Sequence, residues 1–266
     1  MNHQNQTITI TLGDQAENHV GMQKIGEAAT EGFSYDDLVK IKKYFDQIWC
    51  GTEIYELGWP IKEFDDNPGA YLLVIPGGVN ALLLDEEDIE NSETYPHDSE
   101  LFEELVKLKW DRKALMYGRV VNKNARYNLC FGEHSQKPNY LEGKGRIIAY
   151  RQVPVLAKLI KMIGDIHPKC TNLVAEGNYY HDITKCGIGY HGDSERKKVV
   201  GVRLGATIPL DFQWFYKSKP VGRGIRFELR HGDIYIMSEK AVGSDWKNRN
   251  MLTLRHAAGC GKYVEI

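Results

Sequence analysis

"NLVAEGNYYHDITKCGIGYHGDSERKKVVGVRLG", residues 172–205, is the stretch that decides how this chain folds. Apolar and polar residues alternate in short pieces, and glycines or polar clusters separate one piece from the next. Pieces of this length suit strands rather than helices. The texture continues through "IPLDFQWFY" (208–216), "GIRFELRHG" (224–232), "DIYIMS" (233–238) and "NMLTLRHA" (250–257). An antiparallel sandwich or barrel accounts for such a series better than alternating strand–helix units.

Upstream the pattern is mixed. "TITITL" (7–12) alternates threonine with isoleucine and leucine, as a half-buried strand would. "SYDDLVKIKKYFDQIWCG" (34–51) is expected to be a helix. Ser34 and Asp37 form a capping pair, Leu38, Ile41, Phe45 and Ile48 make an apolar stripe, and Gly51 ends it. "YLLVIPGGVNALLL" (71–84) reads as two apolar strands around a Pro-Gly-Gly turn. The acidic run "DEEDIENSETYPHDSE" (85–100) is the natural boundary, and "LFEELVKLKW" (101–110) reads as a short helix. A second helix is expected in "VPVLAKLIKMIGDI" (153–166), with Val155, Leu159, Ile160 and Ile163 on its buried side. The fold class is therefore α+β, with residues 1–100 an acidic N-terminal region of unassigned role and 101–266 a jelly-roll domain with flanking helices.

Composition narrows the function. The 266 residues are 42% hydrophobic, which is ordinary for a globular chain, and the apolar run "YLLVI" is too short to cross a bilayer. Residues 1–30 hold no apolar signal-peptide core. The five cysteines (Cys50, Cys130, Cys170, Cys186, Cys260) include no CxxC pair. This usage points to the cytoplasm or another reducing compartment and away from a disulfide framework. Charge is divided: residues 1–110 carry 7 Lys/Arg against 22 Asp/Glu, and residues 111–266 carry 27 against 14. Either the two parts attract each other, or the basic part meets a polyanion. Asp14, Glu17 and His19 read as a polar loop.

"GYHGD" (189–193) holds the chemistry. On a strand end the two-residue period puts His191 and Asp193 on one face. An imidazole and a carboxylate together suit divalent iron, which is commonly held by two histidines and one carboxylate with positions left open.

In this setting the sequence resembles the AlkB-like family of 2-oxoglutarate- and iron(II)-dependent dioxygenases. The matching segments run in order: "RYNLCFGE" (126–133), "GNYYHD" (177–182), "GIGYHGDSE" (187–195), "KVVGVRLG" (198–205), "RHGDIYIMS" (230–238) and "RNMLTLRHA" (249–257). The resemblance covers about residues 120–258. It implies a double-stranded β-helix (jelly-roll) core, iron(II) on His191 and Asp193, and 2-oxoglutarate held by Asn178, Tyr180, Arg249 and Arg255. It further implies dioxygen as oxidant and demethylation or hydroxylation of a nucleobase in DNA or RNA, as in nucleic-acid repair.

The family's usual second histidine is missing from "SEKAVGSDWKNRN" (238–250). His256, 63 residues after Asp193, is the expected third ligand; Asn248, His231 and Cys260 are the alternatives. Regular alternation would turn His256 away from the face carrying Arg255, so a bulge or a strand end at 255–256 is needed to serve both. His231 is expected to hydrogen-bond within the sheet. Around the pocket mouth, "SERKK" (194–198) and "YKSKPVGRGIRFELR" (216–230) would supply cations. Phe212, Trp214, Phe215, Tyr216 and Tyr127 would supply stacking surfaces or core. Two other readings are an oxygenase acting on a protein side chain or small molecule, and a non-catalytic nucleic-acid-binding relative with an incomplete iron triad.

Overall fold

The computed structural model describes residues 5–48, 51–64, 68–84 and 97–266. Its strands are β1 (Thr7–Gly13), β2 (Gln15–Glu17), β3 (Lys24–Gly26), β4 (Glu53–Glu56), β5 (Tyr71–Ile75), β6 (Lys113–Met116), β7 (Arg119–Asn122) and β8 (Tyr127–Gly132). They continue as β9 (Ile147–Ala149), β10 (Val174–Tyr180), β11 (Gly187–His191), β12 (Val199–Gly205), β13 (Ile208–Tyr216), β14 (Lys219–Leu229), β15 (Ile234–Met237) and β16 (Thr253–Gly259). The longer helices are α1 (Tyr35–Ile48), α2 (Gly78–Leu83), α3 (His97–Val106) and α4 (Pro154–Ile166). The class is α+β and strand-rich. An eight-stranded sheet runs β4-β5-β15-β12-β1-β10-β8-β9, and a four-stranded sheet runs β11-β16-β13-β14. Every pairing in both is antiparallel except that of β8 with β9.

Alternation along β1 organises the layers. Ile8, Ile10 and Leu12 point to one face, where they join Val200, Val202 and Leu204 of β12. That face is covered by the apolar stripes of the helices: Leu38, Ile41 and Phe45 from α1, Leu101 and Phe102 from α3, Leu156 and Leu159 from α4. The opposite face looks toward the small sheet. Val199, Tyr235 and Met237 pack there against Leu210, Phe212, Trp214 and Leu254. Thr9 and Thr11 lie on this second face and border a cavity between the sheets.

Several expectations need correction. The boundary at residue 100 is not one in the sheet: β1 is hydrogen-bonded on both sides, to β10 and β12, and β5 pairs with β15. Residues 7–75 thus supply strands to the sheet that the later residues build. Residues 71–84 are not two strands but β5 followed by α2. Gly77, at φ +64°, turns the chain into the helix, and Val79, Leu82 and Leu83 then fall at helical spacing on its buried side. Ile48 is 48% exposed and leaves the α1 stripe, whereas Leu156, not Val155 or Ile160, is fully buried on α4. The second short helix begins at His97, earlier than expected. The linker residues 85–96 and Cys50 lie outside the described residues.

The charge division is partly answered inside the fold. Lys169 pairs with Asp37 at 2.7 Å and with Glu31 at 3.2 Å. Asp14 accepts hydrogen bonds from the backbone N–H groups of Lys197 and Lys198. Among the described residues no helix is long and apolar enough to cross a membrane.

The start of α1 gives a test. The Ser34 N–H and hydroxyl both donate to Asp37 Oδ2, and the Asp37 N–H donates back to Ser34 Oγ. Burial alone would raise the Asp37 carboxyl, but the Lys169 ammonium and the Ser34 bonds outweigh it and hold the pKa at about 2. A folded-state pKa below the unfolded value means stability present above the unfolded pKa and lost as pH falls through the folded one. The contribution is therefore complete above about pH 4 and disappears as pH drops toward 2. Urea denaturation at neutral pH should find Ser34→Ala destabilised by about 1 kcal/mol. In Asp37→Asn, stability should fall less steeply between pH 4 and pH 2 than in wild type.

Candidate metal centre

His191 closes β11, and its Cα partner across the sheet is His256 on β16. The two imidazole centroids are 4.5 Å apart. Asp193 follows two residues later, its N–H donating to the Val242 carbonyl. Asp193 Oδ1 lies 3.5 Å from His191 Nε2 and 3.6 Å from His256 Nε2. All three ligand atoms fall within 4.8 Å of one another. Bonds of about 2.0–2.2 Å to a common ion would set neighbouring donors roughly 3.0–3.5 Å apart, so the two spacings to Asp193 need little adjustment. The cluster borders a cavity of about 670 Å³ between the two sheets.

Surrounding groups prepare the donors. His191 Nδ1 sits 2.8 Å from the Gly189 carbonyl, which can only accept, so Nδ1 carries the proton and Nε2 presents its lone pair. Burial lowers the His191 pKa, and the neighbouring His256 lowers it further, keeping the ring neutral. His256 Nδ1 is buried without a hydrogen-bond partner. For Asp193, burial raises the pKa, but Arg196 and the two imidazoles hold it well below the carboxylate range. Arg196 is only 4% exposed. It donates to Glu176 and Glu195 at 2.7 Å and lies 3.6 Å from Asp193 Oδ2. Gly192 is needed for close approach: a Cβ there would overlap the Gly243 carbonyl and crowd the Trp246 side chain.

The sequence expectations separate cleanly. His191, Asp193 and His256 come together, and Asn178 and Tyr180 border the same cavity. Arg249 and Arg255 do not. Arg249 is exposed, and Arg255 stacks on the Phe215 ring at 4.0 Å and lies 5.2 Å from the Trp246 centroid. The required bulge at 255–256 is absent: β16 pairs with β13 in unbroken register from Ala258 to Thr253, so His256 faces the cavity and Arg255 faces away. The irregularity lies instead on β11, between Ile188 and His191.

The other ligand candidates have other work. His231 Nδ1 accepts from the Gly205 N–H and its Nε2 lies 3.5 Å from Asp98, as its sheet role suggested. Asn248 contacts its own loop at Asn250 and Met251.

Relatives place the chain in a lineage. It is 49% identical over 262 residues to the uncharacterized protein R156 of Acanthamoeba polyphaga mimivirus, a match covering 98% of each chain. The chain belongs to the family of that mimivirus protein. No protein-family model matches this member of it.

In this mimivirus-related chain only the start of the basic segments, Ser194 to Arg196, borders the cavity. Arg196 is buried in ion pairs, Lys197 reaches the Thr30 carbonyl, and residues 216–230 are largely the edge strand β14, none of them bordering the cavity. Phe212 and Trp214 are core. Tyr127 stacks on His181 with Arg112 above it, and neither Tyr127 nor His181 borders the cavity.

Sequence reading missed Thr9, Glu176, Arg203 and Trp246, took Arg196 only as one of the pocket-mouth cations, and left Glu17 and His19 in a polar loop; all of them border the cavity. Two signals were available: the polar face of "TITITL", and a charged Arg203 set in the apolar run "VVGVRLG".

Mn(II) titrated under argon provides the check. His256→Ala should weaken binding at least about 100-fold, beyond the roughly 10–100-fold cost of outer-shell changes. Gly192→Ala, which forces the 192 and 243 backbones apart, should weaken it about 10-fold. Asn248→Ala should bind as wild type.

Proposed function

We propose that this chain is an iron(II)-dependent dioxygenase on a double-stranded β-helix, using a 2-oxo acid as co-substrate and oxidising a modified nucleobase. One observation carries the reading: two imidazoles and a carboxylate gathered on one side of a cavity between the sheets. Two nitrogens and one oxygen, with space opposite, suit non-haem iron. The bound ion would supply one-electron oxygen chemistry and Lewis acidity. The chain's own residues hold and orient. His191 is fixed by Gly189, Asp193 by Arg196 and the Val242 carbonyl, and the apolar walls of Leu210, Val199 and Met237 limit water.

The strand sequence supports the β-helix. From β10 onward the chain passes between the large and small sheets, with β12 and β15 in one and β11, β13, β14 and β16 in the other. The four described cysteines are free thiols, in keeping with a reducing compartment such as the cytoplasm. Complete donors also weaken the non-catalytic alternative, which rested on a missing third ligand.

Arg249 and Arg255 do not fit the role of 2-oxoglutarate anchors, since neither borders the cavity. For the nucleobase, support comes from Trp246 beside Asp193 and Ser194. Its indole N–H donates to Ser194 Oγ at 2.8 Å, and Lys247 lies 5.7 Å from its ring centroid. An aromatic face with an adjacent cation accepts a base and its phosphate. A smaller or proteinaceous substrate is the second reading, favoured by the distance of strand β14's cations from the cavity.

Succinate release from 2-oxoglutarate under air, with Fe(II), should depend on His191, Asp193 and His256. Methylated oligonucleotides should raise it several-fold, and Trp246→Ala should abolish that stimulation while leaving Mn(II) binding intact. Succinate release indifferent to every oligonucleotide would favour the second reading. No succinate from an iron-loaded protein would end the dioxygenase proposal.

A further inference from the structure

Three arginines border the cavity: Arg126, Arg196 and Arg203. Arg196 is committed to Glu176, Glu195 and Asp193, and Arg126 donates through Nε to Asn178 Oδ1 at 2.7 Å. Arg203 differs. It stands in the middle of β12, 1% exposed, with no carboxylate partner among the described residues. The one hydrogen bond of its side chain among the described residues is a long 3.4 Å contact from Nη1 to the Ile208 carbonyl, and Nε has no partner. A buried guanidinium without an anion is costly, and the cost is recovered only when an anion arrives.

The neighbours suit such an anion. Thr9 is the cross-strand partner of Arg203, so the two side chains share a face. The Thr9 hydroxyl is also buried without a partner. Gly201, two residues before Arg203, leaves room for the Tyr235 ring to lie across the sheet. Tyr180 and Tyr235 both lie close enough to feel the Arg203 charge. A planar fork of donors beside a hydroxyl matches one carboxylate group.

We propose that Arg203 and Thr9 form the carboxylate anchor of the cavity, taking the distal carboxylate of a dicarboxylate whose other end faces His191, Asp193 and His256. This rests on the proposed oxygenase reading and moves the anchor from β16, where the family resemblance put it, to β12 and β1. Arg203 is a binding residue, not a metal ligand.

The test separates the anchor from the metal. Glutarate, a dicarboxylate with no 2-oxo group, is titrated calorimetrically into the metal-free protein. Mn(II)-loaded protein is titrated with 2-oxobutyrate, which lacks the distal carboxylate. Wild type should bind glutarate, Arg203→Met should weaken it at least tenfold, and Thr9→Val about threefold. Arg255→Met should leave it unchanged. Binding of 2-oxobutyrate should be insensitive to Arg203→Met. Thermal melts monitor folding, and if Arg203→Met does not fold, Thr9→Val and Arg203→Lys decide. No glutarate binding by wild type, wild-type affinity in the Arg203 and Thr9 variants, or loss in Arg255→Met would overturn the anchor. Mn(II) binding is read separately, so a failed metal site leaves the glutarate result standing.

Discussion

Strict two-residue alternation in the central strands is the constraint on which the rest depends. β1 lies inside the large sheet with neighbours on both sides, so neither of its faces has a free choice of environment. Ile8, Ile10 and Leu12 go to the helical layer, and fully burying each contributes roughly 1.5–3 kcal/mol. A one-residue slip would put these side chains in the cavity and the threonines in the core. The same rule acts on β16. Once His256 faces the cavity, Arg255 cannot, and its guanidinium stacks on Phe215 and Trp246 instead.

Electrostatics then decides what the cavity can hold. Asp193, Glu176 and Glu195 surround the single guanidinium of Arg196, so this end of the cavity carries more negative than positive charge. Burial would push the Asp193 carboxyl toward neutrality, yet it stays well below the usual range because Arg196 and two imidazoles face it. A buried carboxylate held ionised beside two imidazoles is a set of donors that could hold a divalent cation. Arg203, in the same cavity, has the opposite imbalance. Under the proposed function, one cavity would take a cation at one end and an anion at the other.

Much of this was legible in the residues. The strand-rich second half, the N-terminal cap of α1, the helix from Pro154 and the meeting of His191 with Asp193 all follow from local patterns, because period and capping are local properties. His256 could be chosen by elimination. What was not legible depends on long-range pairing. Nothing near "TITITL" says that its partners lie at residues 174–180 and 199–205. The apolar stretch 78–83 carries little signal to distinguish strand from short helix until Gly77 adopts a positive φ. Arg255 matched a family motif in order and spacing, yet a motif does not record which face of the strand is turned inward.

The position of β1 links the fold to the site. Strands β10, β12 and β15 leave a gap between β10 and β12 in the large sheet, and the N-terminal strand fills it. Thr9 is thereby set beside Arg203 on one side and Asn178 on the other, in a single row across three strands. Had that slot been filled by a strand following β16, an arginine carried on it could have reached the cavity. With β1 there, the row offers a threonine, and the nearest guanidinium on the same face belongs to β12. The acidic N-terminal part of the chain is consequently not an appendage to the site but one of its walls: β1 sets Thr9 beside Arg203, while in the other sheet the register of β16 turns Arg255 away.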